Sequence, residues 1–157
     1  CAKMTAPALI VGFARAIAIV LENGQIIDTI VVSIAGALEG FPPEVAAIGM
    51  LIVQSVTNFF IPSGTGQAFV TMPIMSPLAT LTNVPQQTAV LAFQMGDGFM
   101  NMIVPTSAIV MGALALGKVP YTAWFRFIAP LMLKIMALAA IFLVMSIHFG
   151  ETVGLVS

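Results

Sequence analysis

Asp97 sits in Gly96-Asp97-Gly98-Phe99, and it is the only charged side chain between Glu44 and Lys118. A carboxylate in that setting can move a proton, hold a cation, or pair with the cationic group of a ligand. Flanking glycines let a ligand or a backbone approach it closely. Asn101 follows four residues later, on the same helical face if the helix continues. Two more polar stretches share this charge-poor region: Pro62-Ser63-Gly64-Thr65-Gly66-Gln67 and Val104-Pro105-Thr106-Ser107. The hydroxyls of Ser63, Thr65, Thr106 and Ser107 can cap helices and donate to a carboxylate. No nucleophile and base stand at helical spacing, so enzymatic chemistry is not expected. The one cysteine, Cys1, offers neither a disulfide framework nor a cysteine-cluster metal site. No metal site is expected.

These residues must be positioned by a very apolar chain. Charged residues make up 7% of its 157 residues and hydrophobic ones 60%, against about 25% charged in a soluble domain. The mean hydropathy is +1.11. Such a composition excludes a soluble globular domain, a disordered chain and a nucleic-acid partner. It fits an all-α polytopic membrane protein, whose partner is the lipid bilayer. Cys1 opens directly into apolar sequence, which reads as the C-terminal fragment of a longer protein.

The spacing of the charges gives the organisation. From Glu44 to Asp97 there are 52 uncharged residues, too many for one span of about 20. The polar stretch 62–67 interrupts them. The arms 45–61 and 68–82 would reach roughly 25 and 22 Å at about 1.5 Å per residue, short of a hydrocarbon core of about 30 Å. Pro73 and Pro77 lie in the second arm. This predicts a re-entrant helical hairpin over 45–82 whose tip lines a cavity, since bare backbone amides facing lipid cost several kcal/mol each, roughly. Two ordinary short spans joined by a surface loop are the alternative. The stretch 86–117 predicts a transmembrane helix broken over 96–107. Discontinuous helices at matching depth are the sequence pointer to a transporter site. Helices resuming after Gly66 and after Pro105 would aim their positive ends at the cavity. Carbonyls ending the preceding halves, near Phe60 and Asn101, would suit Na⁺ or another cation.

The flanks add orientation. Residues 1–40 predict short membrane helices, at 7–21 with Arg15 and at 26–38. Arg15 could snorkel to headgroups, pair with Asp97 or meet a substrate carboxylate. Residues 127–149 are long enough for a final transmembrane helix. Lys118, Arg126 and Lys134, with Tyr121 and Trp124 as interfacial anchors, place the loop 118–126 in the cytoplasm. His148 reads as interfacial decoration. A carrier is the leading functional reading; a channel, an intramembrane enzyme and a non-transporting membrane subunit are the alternatives.

Several of these stretches match a known pattern. The run from Asn58 to Ala68, then Met72-Pro73-Ile74-Met75, Gly96-Asp97-Gly98-Phe99 and Ile103-Val104-Pro105-Thr106-Ser107 resemble the YfcC-like branch of the anaerobic C4-dicarboxylate carrier family. Gly12-Phe13-Ala14-Arg15 and Lys118-Val119-Pro120-Tyr121 fit it as well. The resemblance implies the ion transporter superfamily, and this chain would be one inverted-repeat half, with a missing N-terminal repeat as its partner. It implies a multi-pass secondary active transporter, symporter or antiporter, of small charged metabolites such as C4-dicarboxylates across the inner membrane. The branch is also associated with basic amino acids and arginine–ornithine exchange. Coupling would be to Na⁺ or H⁺, with no cofactor, and a homodimer is one assembly open to it. The expected substrate-binding residues are Ser63, Gly64, Thr65, Gly66, Gln67, Asn101, Pro105, Thr106 and Ser107, with Asp97 as the coupling residue or substrate-charge partner. Gly64-Thr65-Gly66 stands where relatives in the superfamily carry the Asn-Thr part of a Ser-Asn-Thr signature.

Overall fold

Pro42 and Pro43 set the start of the first described helix. A proline is tolerated in a first turn because its missing N–H would have no partner there, and the Ala46 N–H donates to the Pro42 carbonyl at 3.0 Å. The computed structural model describes residues 40–153 without interruption, together with residues 16, 19, 20, 23, 24, 29, 33, 36 and 37. Arg15 lies outside the described residues, as does most of the expected helices at 7–21 and 26–38. Five helices follow in order: α1 Pro43–Phe60, α2 Gly64–Leu81, α3 Gln86–Met100, α4 Ala108–Gly117 and α5 Tyr121–Val153. Residues 40–153 contain no strand.

Polarity is inverted relative to a water-soluble helix. On α1 the buried face carries Gln54, Ser55, Thr57 and Asn58, while Val45, Ile52, Val56 and Phe59 are exposed. On α5, Phe127, Leu131, Leu133, Leu138, Ile141 and Met145 are exposed in the same way. Exposed apolar side chains with amides and hydroxyls turned to the buried side suit lipid, not water. Two helices, Pro43–Phe60 and Tyr121–Phe149, are long and apolar enough to cross a membrane.

Small residues bring α3 onto α1. Ala89, Ala92 and Gly96 lie on the buried face of α3, spaced so that they share one stripe. A Cβ on Gly96 would stand 2.6 Å from Gln54 Cβ and 3.1 Å from the Ser55 backbone nitrogen, whereas one on Gly98 would meet nothing within 4 Å. The two glycines should therefore respond oppositely to alanine. Gly96→Ala is expected to destabilise by about 1–3 kcal/mol through overpacking. Gly98→Ala is expected to be neutral or to stabilise by about 0.5–1 kcal/mol, the ordinary gain in a helix. Thermal midpoints of the two purified variants check this.

Met50, Leu51, Met75, Leu78, Ala79, Val84 and Leu143 form the core between α1, α2, α3 and α5. At one end Thr88 and Ser146 share a buried hydrogen bond of 3.0 Å. His148 Nε2 pairs there with Glu44 Oε1 at 3.1 Å, an exposed contact between the late turns of α5 and the start of α1.

Three element boundaries differ from the sequence reading. The tip is shorter: only Ile61 to Ser63 separate α1 from α2. The Gln67 N–H bonds the Ser63 carbonyl at 2.8 Å, so Gly64 to Gln67 already belong to the helix. The break is shorter too. Gly96, Asp97 and Gly98 are helical, and α3 runs on to Met100 because Gly96 serves close packing and not chain reversal. Finally, the connection after α4 is only residues 118–120. Lys118 turns the chain with φ 56°, and the Pro120 carbonyl accepts from the Ala123 and Trp124 N–H groups, which starts α5 at Tyr121.

Candidate functional site

The end of α1, the start of α2 and the end of α3 meet at a cluster of amides around Asp97. Asn58 is fully buried on α1. Its Nδ2 donates to Asp97 Oδ1 at 2.6 Å and to Gln67 Oε1 at 3.1 Å. Asn101, one turn after Asp97, donates to the same Oδ1 at 2.9 Å. Gln67 is also fully buried, and its Nε2 donates to the Gln54 carbonyl at 2.8 Å and to Gln54 Oε1 at 2.7 Å. A chain of side-chain amides thus holds one carboxylate oxygen from two sides. Among the described residues, Gln54 Nε2 and Asn58 Oδ1 are buried without a hydrogen-bond partner.

The other carboxylate oxygen lies against the hairpin. A Cβ on Gly64 would stand 3.0 Å from Asp97 Oδ2, so glycine is what lets the carboxylate reach the start of α2. A helix N-terminus carries roughly half a positive charge and stabilises an anion. Asp97 is half-buried, and among the described residues no cationic side chain pairs with it. Its surroundings are amides and a helix dipole.

A cavity of about 520 Å³ opens beside this cluster, lined by Pro62, Ser63 and Gly64 from the tip and by Asn101, Met102, Ser107, Ala108, Ile109 and Val110 from the break. Ser63, Gly64, Asn101 and Ser107 of the expected set therefore face one space. Gln67 sits beneath it in the amide chain. Thr106 ties the break to the hairpin, its Oγ1 donating to the Phe59 carbonyl at 3.0 Å. Gly66 packs within the tip, with a Cβ position 3.3 Å from Ile61 Cγ2 and 3.5 Å from Ser63 Oγ. Thr65 is exposed and Pro105 half-buried; neither lines the cavity. A separate groove of about 470 Å³ between Ile52, Val56, Phe59, Phe60, Met100 and Met136 also includes Ser55. The Ser55 hydroxyl is spent on the Leu51 carbonyl, so that groove offers nothing to hold charge.

Gln54 and Asn58 were absent from the expected site. The signal for them is present: two amides four residues apart on a mostly apolar arm, with a third at Gln67. Amides spaced this way share a helix face, and inside a bilayer each needs a partner.

The family described as "DcuC: C4-dicarboxylate anaerobic carrier" matches residues 1–148. The chain belongs to this family. A protein of Escherichia coli (strain K12) named "Putative basic amino acid antiporter YfcC" is 47% identical over 128 residues, covering 78% of this chain and 25% of that protein. An "Uncharacterized protein" of Haemophilus influenzae (strain ATCC 51907 / DSM 11121 / KW20 / Rd) is 32% identical over 145 residues, covering 92% of this chain and 28% of that protein. No solved structure matches. The chain spans about a quarter of the length of the curated relatives it matches. Family membership and two helices long and apolar enough to cross a membrane make it part of a membrane protein.

Proposed function

We propose that this chain forms one inverted-repeat half of a multi-pass secondary active transporter in the inner membrane, and that the cavity between the tip and the break binds a small charged metabolite. The observation that carries this reading is the convergence of Asn101, Ser107 and the Ser63–Gly64 turn on one space within an apolar fold, with Asp97 held directly behind it against Asn101 and Gly64. A carrier needs polar groups at depth without exposing them to lipid, and broken helices supply them.

The charge of the site favours a substrate with a cationic group. The start of α2, which could have received a substrate carboxylate, already faces the carboxylate of Asp97. A second anion there would meet like charge. The start of α4 is different. Ala108, Ile109 and Val110 line the cavity, and the first N–H groups of a helix have no partner within it. A basic amino acid would satisfy both ends, its carboxylate at the start of α4 and its positive group at Asp97. The relative named as a basic amino acid antiporter supports the same reading. A C4-dicarboxylate is the second reading, supported by the description of the family and by the free start of α4.

Counterflow with the full-length protein in liposomes tests it. Arginine or ornithine inside should drive uptake of labelled arginine, and succinate inside should not. Uptake of labelled succinate driven by internal succinate, with no arginine exchange, would favour the dicarboxylate reading; no exchange of either label would count against both.

A further inference from the structure

The stretch 101–107 is gripped on two sides. Toward the hairpin, Thr106 bonds the Phe59 carbonyl, and Asn101 bonds Asp97, which Asn58 of α1 also holds. From the other side, two aromatic side chains of the first turn of α5 reach it. The Tyr121 hydroxyl donates to the Ile103 carbonyl at 2.6 Å, and Trp124 Nε1 donates to the Met102 carbonyl at 3.0 Å.

These two bonds fill a specific need. Within the break, the N–H groups of Met102, Ile103, Val104 and Ser107 bond the carbonyls of Phe99, Met100, Met100 and Val104. The carbonyls of Met102 and Ile103 receive no backbone donor there. In a membrane setting an unpaired carbonyl is costly, and a break left with two of them would change shape to satisfy them. Tyr121 and Trp124 act as their donors, so each carbonyl has one partner from α5. Met102 also lines the cavity, next to Asn101. The aromatic pair therefore holds the outer side of a stretch that also lines the cavity through Asn101, Met102 and Ser107.

We infer that Tyr121 and Trp124 are positioning residues for the cavity, setting the place of Asn101 and Ser107 and linking the 118–120 connection to the site. This rests on the reading of the cavity as a substrate site. Tyr121 sits directly after that connection, and Lys118 bends it through a left-handed turn. A displacement of the connection would be passed to the break through two hydrogen bonds.

The test uses the full-length transporter in liposomes, with counterflow of whichever of arginine or succinate it exchanges. Tyr121→Phe and Trp124→Phe each remove one donor and keep a ring. Each is expected to raise the apparent KM at least fivefold, with the maximal rate per folded protein within about twofold of the parent. The double variant should raise KM further, and Thr122→Ala, exposed in the same turn, should leave it unchanged. A purely structural role would lower the amount of folded protein and leave KM alone; that result would overturn the inference. Failure of both single variants to accumulate would overturn it as well, because the pair would then be needed for folding. Asp97→Asn separates the two levels. If it exchanges normally, the reading of the cavity fails. If it is inactive and the aromatic variants keep the parent KM, only the positioning role fails.

Discussion

Asp97→Asn in the full-length protein is expected to lower exchange by about ten- to a hundredfold at unchanged membrane content. The substitution keeps the shape of the side chain, and its remaining oxygen can still accept from Asn58 and Asn101. What it removes is the negative charge beside the cavity. A hydrogen bond to a charged group contributes about 1.5–3 kcal/mol, and about 1.4 kcal/mol is a factor of ten, so losing the pairing with a cationic substrate group gives roughly that effect. Charge alone is not sufficient either. Asp97→Glu adds a methylene where Oδ2 already lies against Gly64, and it is expected to restore less than a tenth of the activity. Exchange rates per incorporated protein decide both. Near-parental exchange in Asp97→Asn would remove Asp97 from the substrate site.

The second large effect is expected at Asn58. It is fully buried, and one amide nitrogen serves both Gln67 and Asp97. Asn58→Ala leaves both acceptors without that donor and opens a void between α1 and α2. A neutral hydrogen bond between membrane helices averages only about 0.6 kcal/mol. The bond to the carboxylate is worth more, about 1.5–3 kcal/mol. Together these predict a loss of roughly 2–4 kcal/mol, read as a lower thermal midpoint in detergent, and exchange reduced at least tenfold. Asn58→Gln keeps the donor but lengthens the side chain, and should recover stability before it recovers exchange. A midpoint unchanged in Asn58→Ala would show that the amide chain does not hold the two helices together.

The sequence made the polar stretches easy to find. A run of 52 uncharged residues interrupted by Pro62 to Gln67, and one acid between two glycines, stand out against an apolar background because burying them in lipid is costly. What it did not reveal was how those stretches are used. Glycine in a helix can mark a break or a close contact, and nothing local distinguishes the two. Gly96 is a contact, made necessary by Gln54 on another helix. The start of α2 at Gly64 depends on the Ser63 carbonyl reaching Gln67, a matter of chain direction and not of composition. Gln54 and Asn58 looked like isolated amides because their partners, Gln67 and Asp97, lie 13 and 39 residues away. Tyr121 and Trp124 looked like interfacial anchors for the same reason: their acceptors are backbone carbonyls, 18 and 22 residues back, which leave no trace in residue type.

The proposed carrier function requires the turn after α1 and the gap after α3 to form opposite walls of a single substrate chamber. Substrate protection of engineered thiols measures this most directly. Ser63→Cys and Ser107→Cys, each made singly in the full-length transporter, carry a thiol on one wall apiece. A saturating concentration of the exchanged substrate is expected to slow the reaction of both thiols with a small permeant maleimide, with the same half-maximal concentration. Protection of neither, or of one wall only, would contradict it.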